Sequence, residues 1–170
     1  MLSAKLIALS TLAASLSMPA PRLAAQQVRG YTSHGRFVSY EIFEKTPHGP
    51  LLILLHGVSG PKVAFYREQA KFFADHGYTV FYLHYFDATK SNDPSDKNYQ
   101  LWESALHNLM DEMQKNPAWS GRKRALLGFS LGASIALAAG SQNEPVAAIA
   151  EWYGSLPTNF STPAKACRHC

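Results

Sequence analysis

Cysteine is nearly missing from this chain: the only two, Cys167 and Cys170, stand within the last four residues as Cys167-Arg168-His169-Cys170. A disulfide framework for the body of the protein is therefore excluded. A Cys-x-x-Cys pair serves redox chemistry when it opens a helix in a βαβ setting, or zinc when a second pair is present, and neither context exists here. A local disulfide or two free thiols is the expectation that remains, with a redox protein as the rival. Charge is sparse as well, at 16% of residues, and the formal net charge of +4 is not gathered into a basic stripe, so no nucleic-acid partner is expected. There is no internal repeat, no low-complexity tract and no apolar run long enough for a stable membrane span.

What the beginning of the chain does have is the layout of a secretory signal peptide. Met1 and Lys5 supply a short positive start, residues 6–17 are apolar or small, and Pro19, Pro21 and Arg22 break the run before Leu23-Ala24-Ala25. Cleavage after Ala25 is expected, giving export to a periplasmic or extracellular space and a mature domain of residues 26–170; an uncleaved anchor is the alternative.

Past that point the hydrophobic period alternates between two values. Residues 36–45 alternate as a strand, and Leu51–Leu55 is a five-residue apolar run suited to a strand covered on both faces. Residues 62–76 place Val63, Tyr66, Ala70 and Phe73 on one helical stripe that Gly77 closes. Residues 78–83 return to strand, and a polar loop over 87–97 leads to a helix through Trp102, Leu106, Leu109 and Met113 that Asn116-Pro117 stops. A strand at 125–127, a small-residue helix to about Gly140 and a buried strand at 146–150 follow. Strands alternating with helices predict an α/β fold, a mostly parallel sheet with helices on both faces and functional loops at the carboxyl ends of its strands.

Gly128-Phe129-Ser130-Leu131-Gly132 falls between one of those strands and a helix. A serine in this setting stands on a sharp turn that lifts its hydroxyl above the sheet, and a positive φ is expected for it. The helix behind it aims free backbone donors at the place where charge develops in acyl transfer, which makes the Leu131 N–H one oxyanion donor. The second is expected from the turn after Leu51–Leu55, His56-Gly57-Val58-Ser59-Gly60-Pro61, most simply from the Val58 N–H. His56 is then part of that turn, His76 is a helix-terminal residue favoured by the dipole, and His107 is exposed on a helix. His84 ends a strand on the active edge, either touching substrate or packed against Tyr85 and Phe86.

These segments resemble the α/β-hydrolase superfamily and, within it, the dienelactone hydrolase family. The likeness rests on Leu54-Leu55-His56-Gly57, on residues 77–87 with their His84-Tyr85-Phe86, and on Leu127-Gly128-Phe129-Ser130-Leu131-Gly132. It implies hydrolysis of a small-molecule ester or lactone through an acyl-enzyme, with neither a metal nor an organic cofactor. The name-giving dienelactone hydrolases carry cysteine in the elbow. Ser130 in its place points toward general esterase chemistry.

A serine hydroxyl needs a histidine to take its proton and an acid to orient that histidine, in the chain order serine, acid, histidine. Behind Ser130 only Glu144, Glu151 and His169 are eligible. Glu144 sits in a loop, Glu151 closes the strand 146–150 with no later strand to deliver a histidine, and His169 is two residues from the end. The expectation is a hydrolase sheet short of its last strands and without a competent triad, poorly soluble or self-associating at its open edge. A non-catalytic binding domain or fragment derived from such a hydrolase is the rival reading.

Overall fold

The structure, a computed structural model, describes residues 28–141 and 145–155. They form β1 (Val28–Ser33), β2 (Arg36–Phe43), β3 (Leu51–Leu55), α1 (Ala64–Asp75), β4 (Thr79–Leu83), a 3-10 turn (Tyr85–Ala88), α2 (Asp96–Lys115), β5 (Arg124–Phe129), α3 (Leu131–Ser141) and β6 (Ala148–Trp152). The strands make one six-stranded sheet in the order β1-β2-β4-β3-β5-β6. β2 is antiparallel to β1 and β4, while β4, β3, β5 and β6 run parallel. The α/β fold expected from the alternating periods is therefore observed.

The central parallel strands β3 and β4 are apolar throughout because both of their faces are covered. Leu51, Ile53 and Leu55 point into a cluster with Trp102, Leu106, Leu109 and Met113 of α2 and Ile135 of α3. Leu52 and Leu54 point the other way, against Tyr66, Ala70 and Ala74 of α1. That spacing of three inward residues at every fourth position is the helical stripe of α1. α3 approaches the sheet closely through small residues, and a Cβ added at Gly140 would overlap Ile149 of β6. Arg124 of β5 is buried, and its guanidinium donates to Met110 O (3.1 Å) and to Gln114 Oε1 (2.6 Å), fixing the last turns of α2 to the sheet.

Four features depart from the sequence expectations. β1 is an added strand, folded back on β2 by His34 and Gly35, whose φ values are 46° and 75°. Its alternation is interrupted by Gly30, which must be glycine because a Cβ there would lie 2.6 Å from Val38 O. α1 starts at Ala64 rather than at 62, since Val63 is still extended (φ −69°, ψ 123°). β6 occupies Ala148–Trp152, two residues later than expected, and instead of being buried it is exposed and, among the described strands, paired with β5 alone.

The parallel arrangement brings the ends of β3, β4, β5 and β6 to one edge of the sheet. Leu55 pairs with Gly128 and with Leu83, and Phe129 pairs with Trp152. The turn after β3, the turn after β4, Ser130 and Tyr153 consequently meet there.

Candidate active site

Ser130 occupies the junction of β5 and α3 with φ of 50°, a left-handed backbone that is uncommon for a residue with a side chain. The positive φ expected from the strand-turn-helix pattern is found. Neighbouring packing explains why glycines must flank it. A Cβ at Gly132 would lie 2.5 Å from both Leu55 O and His56 O, and one at Gly128 would stand 2.5 Å from Gly132 O and 2.6 Å from Ala133 N. The crowded turn leaves Ser130 exposed at the carboxyl edge of the sheet. Its own N–H donates to Trp152 O (2.7 Å), which ties the turn to the end of β6.

α3 begins at Leu131, and its first hydrogen bonds are those of Ala133 N–H (2.9 Å) and Ser134 N–H (3.2 Å) to Ser130 O. The Leu131 N–H precedes them and lies at the positive end of the helix dipole beside the Ser130 hydroxyl.

The turn after β3 passes directly over this point: a Cβ at Gly57 would come within 3.4 Å of Ser130 Cβ. Its backbone is held from three elements. Tyr85 Oη donates to His56 O (2.6 Å), Tyr66 Oη accepts the Gly57 N–H (3.0 Å), and Pro61 O accepts from Tyr82 Oη (3.1 Å) and Arg67 Nη1 (3.0 Å). Within the turn, Gly60 N–H donates to Gly57 O (3.0 Å). The amide of Val58 takes part in none of these bonds, while its carbonyl accepts from Asn92 at 3.4 Å and the residue is 48% exposed.

His56 lies beneath the turn, fully buried, stacked on Tyr85 at 4.2 Å and met edge-on by Phe86 at 4.6 Å. Burial pushes its pKa down to about 3, against the raising effect of the Gly57 carbonyl, so the ring is neutral and Nδ1–H donates to Gly57 O (2.8 Å).

His84 departs from expectation. It packs edge-on against Tyr82 (4.9 Å) rather than against Tyr85 and Phe86, because the chain turns at the end of β4 and sends those two rings toward His56 and Trp102. Its Nδ1 bonds Ser39 Oγ (3.0 Å) and its Nε2 lies 2.9 Å from Glu41 Oε1. Glu41 in turn takes a two-pronged bond from Arg67, Nε to Oε2 at 3.0 Å and Nη2 to Oε1 at 2.6 Å. Burial alone would raise the Glu41 carboxyl, but the contacts with His84 and Arg67 outweigh it and hold the group below the ordinary carboxylate range. Ser39 also donates through N–H (3.0 Å) and Oγ (2.5 Å) to Asp87, which closes a polar chain from α1 through β2 to the 3-10 turn.

The remaining expected residues fall apart from Ser130. His76 is the C-cap of α1, the helix-terminal position expected for it, with Nδ1 on Phe72 O at 2.7 Å. His107 is half-buried on α2 rather than exposed. Glu151 is the penultimate residue of β6, and its carboxylate accepts the Gly154 N–H at 2.7 Å. Glu144, His169, Cys167 and Cys170 lie outside the described residues, as do residues 1–25. Among the described residues no histidine or carboxylate bonds the Ser130 hydroxyl. No group of three potential metal ligands occurs among them either, and no helix there is long and apolar enough to cross a membrane. Tyr66, Arg67, Tyr82 and Glu41 come from three separate elements and share no motif, so local pattern marks Tyr66 only as a core residue of α1 and gives none of the four a place at the site.

The family model for the alpha/beta hydrolase fold matches residues 50–151. A curated relative, the polyketide transferase grgF of Penicillium sp., is 28% identical over 133 residues, which are 77% of this chain and 45% of that protein. The chain thus spans less than half the length of the relative. The crystal structure of the alpha/beta hydrolase GrgF from Penicillium sp. sh18 superimposes with a TM-score of 0.63 at 25% identity, covering 74% of this chain and 45% of the other. Two more distant structures share the fold. One is the dienelactone hydrolase-like promiscuous phosphotriesterase P91 from metagenomic libraries, with a TM-score of 0.68, 19% identity and coverage of 81% and 62%. The other is a dienelactone hydrolase from Anabaena variabilis, with a TM-score of 0.63, 17% identity and coverage of 76% and 64%.

Proposed function

The chain belongs to the alpha/beta hydrolase fold family, and from that premise we propose that it carries the nucleophile and oxyanion elements of a serine hydrolase acting on carboxylic esters or lactones. The observation that carries this reading is Ser130: exposed, left-handed at φ 50°, and seated at the mouth of α3. In the proposed reaction the Ser130 oxygen attacks the carbonyl carbon while a base takes its proton. The Leu131 and Val58 amides receive the negative oxygen of the tetrahedral intermediate, the base returns its proton to the departing alcohol oxygen, and water, deprotonated by the same base, then releases the acid and restores the Ser130 hydroxyl. Residues 1–25 are proposed to direct export and be cleaved near Ala25, leaving residues 26–170 as the hydrolase domain.

One observation favours a second reading. Among the described residues no base reaches Ser130: His56 is neutral with its N–H on Gly57 O, and His84 is held by Ser39 and Glu41. On its own this chain is therefore proposed to turn esters over slowly or not at all, and a non-catalytic binding domain is the alternative. A fluorophosphonate probe followed by mass spectrometry separates the two. Labelling on Ser130 that disappears in Ser130→Ala supports the nucleophile; no labelling of the intact chain supports the binding domain. Sustained hydrolysis of p-nitrophenyl acetate, lost in Ser130→Ala, would show that the chain supplies a base from elsewhere. N-terminal sequencing of the exported chain tests the cleavage site, and a product beginning at Met1 refutes it.

A further inference from the structure

We propose that Tyr66 is a positioning residue for the oxyanion turn, an inference that rests on the reading of Ser130 as nucleophile. Of the groups that hold the turn, the Tyr66 hydroxyl is the one that bonds both flanks of its apex. It accepts the Gly57 N–H at 3.0 Å and bonds Ser59 Oγ at 3.1 Å, so it grips the residues on either side of Val58. The ring cannot swing away. It is buried, tilted against Phe129 at 5.6 Å and Tyr82 at 6.3 Å, and crossed by Phe65 at 5.5 Å.

The grip has a stereochemical consequence at Ser130. Gly57 approaches so closely that a Cβ on it would stand 2.8 Å from Tyr66 Oη and 3.4 Å from Ser130 Cβ. Tyr66 thereby sets the distance between the turn and the serine, and by engaging the Gly57 amide it leaves the next amide, that of Val58, as the donor to face a developing charge. The other tyrosine and arginine anchors act at the ends of the turn. Tyr85 holds His56 O, and Pro61 O is held twice, by Tyr82 and by Arg67. Loss of the Tyr66 hydroxyl frees the Gly57 N–H and Ser59 Oγ, while the Gly57 and Val58 carbonyls keep their bonds to His56 Nδ1 (2.8 Å) and Asn92 Nδ2 (3.4 Å).

Tyr66→Phe keeps the ring and deletes the hydroxyl. Amide exchange at Gly57 in the full chain should accelerate about two- to tenfold on loss of this bond. Saturation kinetics of fluorophosphonate labelling should show the maximal rate falling about ten- to a hundredfold with the half-saturating concentration unchanged, because an oxyanion donor is displaced while the binding surface stays. Ser59→Ala, which removes an exposed hydroxyl from the other side of Tyr66, should give a smaller change of the same sign and covers the case in which Tyr66→Phe fails to fold. Tyr31→Phe deletes a tyrosine hydroxyl bond to Ala105 O at β1 and should lower stability without altering labelling. If the parent chain labels at Ser130 and the Tyr66→Phe and Ser59→Ala chains label at the parent rate, the positioning role is wrong while the nucleophile stands. A parent chain that does not label at all removes the nucleophile, and this inference with it.

Discussion

Glu103 offers a test of the core that does not depend on any catalytic reading. It lies on α2, 8% exposed, and its Oε1 has no hydrogen-bond partner among the described residues. Burial, the sole cause, raises its pKa from the ordinary 4.5 to about 7. Below pH 4.5 the carboxyl is protonated in both folded and unfolded chains and contributes no pH dependence. Between 4.5 and about 7 the unfolded chain releases its proton and the folded chain keeps it, so stability falls as pH rises; above about 7 both are ionised and the loss is complete. A difference of this size corresponds to a loss of about 3 kcal/mol between pH 4.5 and pH 8. Glu103→Gln keeps the shape and cannot ionise. Urea unfolding of both chains from pH 4.5 to 8 should therefore show the variant gaining on the parent by about 3 kcal/mol over that window, with similar m values. A stability difference that stays flat across the window would mean that Glu103 finds a partner or water in solution, and the burial argument would fail.

Other outcomes follow from single contacts. Ser130→Gly should raise unfolding stability by about 1 kcal/mol, because a left-handed backbone is strained for serine and not for glycine, whereas Ser130→Ala should give no such gain; equal effects in thermal melts would remove the strain argument. Arg67→Lys loses the planar two-pronged bond to Glu41 and should cost about 1–2 kcal/mol in urea unfolding, with neutral behaviour counting against a structural role for that pair. Among the described strands β6 is the end of the sheet, beside Trp152 and Tyr153, which are 61% and 85% exposed, so the chain should self-associate at micromolar concentration in analytical ultracentrifugation. Ala150→Lys on that strand should weaken the association; an unchanged sedimentation profile would place the contact elsewhere.

Local pattern alone determined a good deal of this protein. Five apolar residues from Leu51 to Leu55 cannot be solvated on either face, so they announce a central parallel strand, and the spacing of Trp102, Leu106, Leu109 and Met113 is legible as α2 because neighbours on a helix face recur at three and four residues. The elbow was equally legible. Gly128 and Gly132 are required by distances to backbone atoms within a few residues and across one strand pair, and the left-handed Ser130 follows from that crowding. What the sequence could not give was anything decided by strand order. β6 looked buried because its residues are apolar, yet its exposure depends on having no neighbour beyond it among the described strands. His84 looked like a partner for the rings that follow it, yet β2 lies antiparallel beside β4 and delivers Ser39 and Glu41 to it from about 45 residues away. Tyr66, Tyr82 and Tyr85 read separately as core aromatics. Only the sheet order brings their three hydroxyls to one turn of backbone, because hydrogen bonds form between groups that are close in space whatever their separation along the chain.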